Sequence, residues 1–190
     1  MRAVRPAILD APTQIHGGSV RDAANYKVRG RKIVFSPETQ REHRRLRISV
    51  WNYLLHSRFF VVLSAPFIYL GIVPFMLCDL FVTTYQTVCF PIYGIPKVPR
   101  SDHLVFDRSK LRYLNALERV NCRYCSYANG LMAYIVEIAG RTEQHWCPTK
   151  HAHEITAPHS RYGHFLPYGD AAVYRSRIEE VRTGFKDVAR

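Results

Sequence analysis

The sequence predicts a mainly α-helical membrane protein: a helical hairpin in the bilayer, re-entrant or made of two short spans, joined to a small metal-stapled helical domain and flanked by irregular terminal arms. Three observations carry this expectation. Residues 59–96 hold a single charge, Asp79, in 38 positions. The chain is strongly basic, with a net charge of +12 over 190 residues. Cys122, Cys125, Cys147 and His151 stand at metal-ligand spacings.

Residues 1–40 carry Pro6, Pro12, Gly17, Gly18, Gly30 and Pro37 with little periodicity, which reads as an extended basic arm. No early apolar run ends in a small-residue cleavage site, so no cleaved signal peptide is expected. Ser36 followed by Pro37 offers a helix cap with proline at the first helical position. Over residues 41–58, Arg44, Arg45, Arg47 and Arg58 alternate with Leu46, Val50, Trp51, Tyr53, Leu54 and Leu55. That mixture suits an amphipathic helix at the headgroup boundary.

Residues 59–78 contain no charge in 20 positions, enough for a helix of about 30 Å across a bilayer. The apolar character resumes after Asp79 and lasts to Lys97. A single span ending near Cys78 would strand Leu80 to Pro96 on the far side. A membrane hairpin over 59–96 instead returns the chain, leaving Arg58, Lys97 and Arg100 on one side as the positive-inside tendency asks. Pro66, Gly71 and Pro74 supply break points, and Pro91, Gly94, Pro96 and Pro99 close the second arm. Arms of about 15 to 20 residues fit a shallow monotopic hairpin as well as two spans. Asp79 then sits near the turn, within reach of headgroups.

Before residue 59 there are twelve Lys or Arg against four Asp or Glu, and after residue 96 fifteen against ten. Both termini are therefore expected on the cytoplasmic, positive side. The lipid bilayer, not nucleic acid, is the anionic partner this distribution implies.

Residues 97–170 are expected to form the small metal-binding domain. Ser109 is placed to cap a helix from Lys110, with Leu111, Leu114, Leu117 and Val120 at three- to four-residue spacing. Asn129-Gly130 reads as a turn, followed by a short helix from Leu131 that ends near Gly140. Polar, irregular chain follows, and a C-terminal tail over 171–190 can form a weak helix through Val173, Ile178 and Val181.

Cys122 and Cys125 can chelate one ion, and after twenty-one residues Cys147 and His151 can complete a tetrahedral shell. His145 and His153 are near enough to replace His151. Closure requires the helix after Leu131 to stop at Gly140. An unbroken helix to Trp146 would carry Cys147 far from Cys125. Three thiolates and an imidazole suit structural zinc; iron or a 2Fe-2S cluster at the same ligands is the alternative, and a thiol-disulfide pair at Cys122 and Cys125 a third. Five cysteines, an odd number, fit a reducing compartment, with Cys78 and Cys89 as small buried hydrophobes.

The sequence has no Gly-rich phosphate loop, no His-Glu-x-x-His and no nucleophile elbow. A non-enzymatic role follows as the expectation: a structural or assembly subunit of a larger membrane complex. Electron transfer through iron at the same Cys/His ligands is the rival expectation.

Overall fold

The computed structural model describes residues 26–29 and 32–188, so most of the arm expected over residues 1–40 lies outside the described residues. Its described part is regular. Strands Tyr26–Arg29 (β1) and Lys32–Phe35 (β2) pair antiparallel, Tyr26 opposite Phe35 and Arg29 opposite Lys32, as the β-branched and aromatic content favours.

Helix α1 (Pro37–Arg45) starts as the sequence indicates, with the Ser36 hydroxyl accepting from the Thr39 N–H at 3.2 Å. The single interfacial helix expected over 41–58 is broken in two: the chain leaves helical geometry after α1, and α2 (Val50–Leu55) restarts behind an extended Ser49.

Helices α3 (Phe59–Leu70) and α4 (Ile72–Tyr93) meet at Gly71, whose φ of −56° and ψ of −16° keep it in the right-handed helical region. The chain does not reverse there, so the hairpin expected within 59–96 does not form. The prolines do not reverse the chain either: Pro66 and Pro91 lie inside α3 and α4, and Pro74 falls in the first turn of α4, just past the Gly71 junction. Together the two elements make one apolar helix of 35 residues, about 50 Å long. Gly94, at φ 68°, ends it.

From Ile95 the chain turns back along α4, bringing Val98 beside Gln86 and Arg100 beside Asp79. It passes through α5 (Arg100–His103) and a 3₁₀ turn at Arg108–Lys110. Helix α6 (Ala116–Trp146) then runs 31 residues. Its start is a capping box: the Asn115 side chain accepts from the Glu118 N–H at 2.9 Å, and the Glu118 carboxylate accepts from the Asn115 N–H at 2.7 Å. Ser109, the expected cap, instead donates to the Phe106 carbonyl. Helix α6 lies parallel to α3 and α4, with Tyr69 against Asn121, Asp79 against Tyr127, Gln86 against Tyr134 and Tyr93 stacked on His145.

Gly130 and Gly140, both read as helix stops, lie inside α6. Each is a point of close approach instead. A Cβ on Gly130 would sit 2.6 Å from the His103 carbonyl oxygen, and one on Gly140 would sit 2.6 Å from Nδ1 of His159. Gly130→Ala is therefore expected to cost about 1–3 kcal/mol, as overpacking against backbone does. Gly163→Ala, which meets nothing within 4 Å, should stay within about 0.5 kcal/mol. Thermal or denaturant unfolding of the two variants checks this; equal stabilities would contradict it.

The main core joins Phe90, Ile95 and Val98 to Leu131, Tyr134 and Ile138 of α6 and to Phe185 near the C-terminus. Beyond α6 the chain is irregular until α7 (Ala171–Thr183), capped by Asp170. A buried polar lock holds this end. The Arg161 guanidinium donates to the Gln144 amide oxygen, the Gly184 carbonyl and the Asp187 carboxylate, while Gln144 donates to the carbonyls of Val181 and Gly184. The hydrogen bond from Arg161 is the main cause holding the Asp187 carboxyl below its ordinary value. The C-terminal region is thus tied to α6 by side-chain hydrogen bonds through Gln144, and a small Leu166, Ile178 and Val181 cluster packs α7 against the segment before it.

Candidate functional site

Along the apolar helix the partly or fully buried positions include Ala65, Tyr69, Ile72, Phe75, Asp79, Val82, Gln86, Phe90 and Tyr93 at helical spacing, with Gly71, Thr83, Tyr85 and Cys89 beside them. They form one stripe. Its polar members, Tyr69, Asp79, Gln86 and Tyr93, face α6 or the returning segment, where each has a partner. What remains is an outer face of a different kind.

Asp79 is the centre of the seam. Its carboxylate takes four hydrogen bonds, from Arg100 Nη1 at 2.7 Å, Arg100 Nη2 at 2.6 Å, Tyr127 Oη at 2.8 Å and Thr83 Oγ1 at 3.2 Å. The paired Arg100 contacts form a bidentate fork. The two members are unequally covered, since the Asp79 side chain is 10% exposed and that of Arg100 44%. Burial, then the hydrogen bond to Asp79, pushes the Tyr127 phenol up to about 12, so it stays a donor at neutral pH. Two turns further on, Gln86 accepts from the Val98 N–H at 3.0 Å and donates to the Tyr134 hydroxyl. A side-chain amide thereby satisfies backbone that the returning segment would otherwise bury unpaired.

The outer face has no charge from Phe59 to Pro96, because Asp79, the only one in the block, is turned inward. Leu77 is 63% exposed, Leu80 68%, Phe81 71% and Ile92 72%. Phe59 to Ser64 are exposed throughout, ahead of the packed stripe. Among the described residues, Phe59–Tyr93 is the one helix long and apolar enough to cross a membrane. Contiguous apolar surface on this scale marks an interaction face.

The four expected metal ligands do not converge. Cys122 and Cys125 lie in the first turns of α6, and Cys147 is its C-terminal cap residue. Because α6 is unbroken through Gly140, the twenty-two residues from Cys125 to Cys147 amount to about 33 Å. Two thiolates on one zinc are held about 2.3 Å from it each. His151 is exposed, its ring stacked on Tyr162 and its N–H bonded to the Tyr162 hydroxyl. His145 stacks on Tyr93, and burial followed by the charge of Arg182 lowers its pKa, favouring the neutral ring. His153 is exposed. Among the described residues no group of three or more His, Cys, Asp or Glu side chains is placed to hold a metal ion. All five cysteines are unpaired.

Sequence reasoning singled out Asp79 but set it at a hairpin tip; it lies inside the continuous helix, on the packed stripe. The sequence does not single out its partners Arg100, Tyr127 and Thr83, or the neighbouring pair of Gln86 and Tyr134. A signal existed, since Asp79, Gln86 and Phe90 fall on one helical face, seven and four residues apart. Nothing local to Arg100 or Tyr127 announces that they close on it. Comparison with protein-family models, curated proteins and solved structures finds no match.

Proposed function

We propose that this chain is a membrane-bound, non-catalytic subunit, seated on the bilayer by the outer face of α3 and α4, that presents α6 and the C-terminal cap to a larger membrane complex. The observation that carries this reading is the uncharged, solvent-exposed face beside a fully partnered polar seam. Water is a poor neighbour for that face, and hydrocarbon a good one.

The seat is along the surface. A slab of hydrocarbon about 30 Å thick, drawn across the uncharged stretch from Phe59 to Cys78, would enclose the start of α6, because Tyr69 stands level with Asn121 and Asp79 with Tyr127. Glu118, Arg119 and Arg123 would be carried in with it. With the helix parallel to the bilayer, the charges of the returning segment and α6 stay in water while the apolar outer face is immersed. Both termini remain on one side, for which the basic flanks favour the cytoplasm.

No shared ion is proposed for Cys122, Cys125, Cys147 and His151, since the length of α6 separates them; the zinc staple and the iron carrier both need them together.

The test joins flotation to topology. The protein should float with phospholipid vesicles. In a cysteine-free background, Glu38→Cys and Arg175→Cys, both at exposed positions, should be labelled from the same side of sealed vesicles. Failure to float would remove the bilayer as partner, and labelling from opposite sides would show a spanning helix.

A further inference from the structure

Between α4, the returning segment and α6 lies an open, solvent-facing cavity of about 260 Å³, lined by Met76, Asp79, Leu80, Thr83, Arg100 and Tyr127. We infer that this cavity holds the phosphodiester headgroup of one membrane phospholipid, with Arg100 as its ligand and Met76 and Leu80 against its glycerol and upper acyl chain. The inference rests on the bilayer seat proposed above.

The donor and acceptor inventory selects the ligand. Asp79 has its acceptor positions filled by Arg100, Tyr127 and Thr83. The hydroxyls of Tyr127 and Thr83 are donated inward to it. Arg100 offers five N–H groups and gives two to Asp79, which leaves three on a guanidinium that is 44% exposed. The polar capacity left over is thus a set of charged donors, and the occupant must bring acceptors, for which a phosphate is well matched. Its other end must be apolar, since Met76 is 59% exposed and Leu80 68%, both continuous with the outer face. An acceptor-headed, apolar-tailed molecule at the edge of a bilayer-facing surface is a phospholipid. Asp79 fixes the guanidinium fork in place before the lipid arrives, so little side-chain freedom is lost on binding.

Native mass spectrometry of the protein in detergent, supplied with phosphatidylglycerol or with diacylglycerol of the same chains, tests this directly. Wild type should retain one phosphatidylglycerol and no diacylglycerol. Two variants should each lose retention by at least about tenfold: Asp79→Asn with Arg100→Gln, which keeps a neutral hydrogen-bonded pair, and Met76→Trp, which leaves the pair intact and fills the cavity. Retention undiminished in the cavity-filled variant overturns the inference, as does equal retention of diacylglycerol. Inorganic phosphate that stabilises the protein as well as the lipid does would identify a phosphate site with no lipid requirement and overturn it too. A protein that floats with vesicles yet retains no lipid contradicts only this inference, whereas one that does not float removes the seat on which it rests.

Discussion

Arg100→Ala is expected to destabilise the protein by about 2–3 kcal/mol, and Asp79→Asn by only about 1 kcal/mol. The inequality follows from unequal burial. Removing the guanidinium leaves a carboxylate whose side chain is 10% exposed with two hydroxyl donors and no counter-charge. Removing the carboxylate charge leaves an arginine that is 44% exposed and can turn to water, so its loss is discounted as for a surface pair. Denaturant unfolding in detergent measures both. Equal costs, or a larger cost for Asp79→Asn, would mean that Asp79 is not the buried member of the pair.

A larger effect is expected on the outer face. Leu77 and Val88 lie eleven residues apart on one side of α4, exposed by 63% and 56%. Each aspartate placed there would enter the apolar layer at a cost of about 2 kcal/mol, below the value at the centre of a bilayer because a surface helix is shallow. Leu77→Asp with Val88→Asp should therefore weaken vesicle binding by roughly a thousandfold. Thermal stability in detergent should change little, because neither side chain is packed in the core. Ser176→Asp, at an exposed position on α7 and outside α3 and α4, is the control and should float as wild type does. Unchanged flotation of the double variant would mean that the face does not meet lipid.

The helical class, the long uncharged block, the Ser36 cap and the C-terminal helix were legible in the sequence because each rests on local chemistry. The turns were not. Glycine and proline signal a break only when nothing else needs a small residue there, and α6 needs Gly130 for the His103 carbonyl and Gly140 for the His159 ring. Both contacts come from segments distant in sequence, so local propensity could not reveal them. The ligand spacing turns on the same point: the interval from Cys125 to Cys147 closes only around a helix end at Gly140, and tertiary packing carries the helix through. Asp79 was conspicuous as the one charge in its block, yet its role depended on Arg100 and Tyr127, 21 and 48 residues away. The periodic stripe Asp79, Gln86 and Phe90 was the part of the site within reach of the sequence, since it needs only a continuous helix to become visible.

Spin labels introduced singly from Phe59 to Tyr93, with collisional access to oxygen and to a water-soluble nickel complex measured in phospholipid vesicles, test the surface-seated continuous helix most directly. The expected result from Ala65 onward is a 3.6-residue rhythm. Leu77, Leu80, Phe81 and Val88 should be rich in oxygen and closed to nickel at nearly constant shallow depth, and Tyr69, Asp79, Gln86 and Phe90 closed to both. A depth that rises to one central maximum would show a perpendicular span. Two maxima separated by a nickel-accessible turn near Asp79 would show a hairpin, and nickel access along the outer face would contradict a lipid seat altogether.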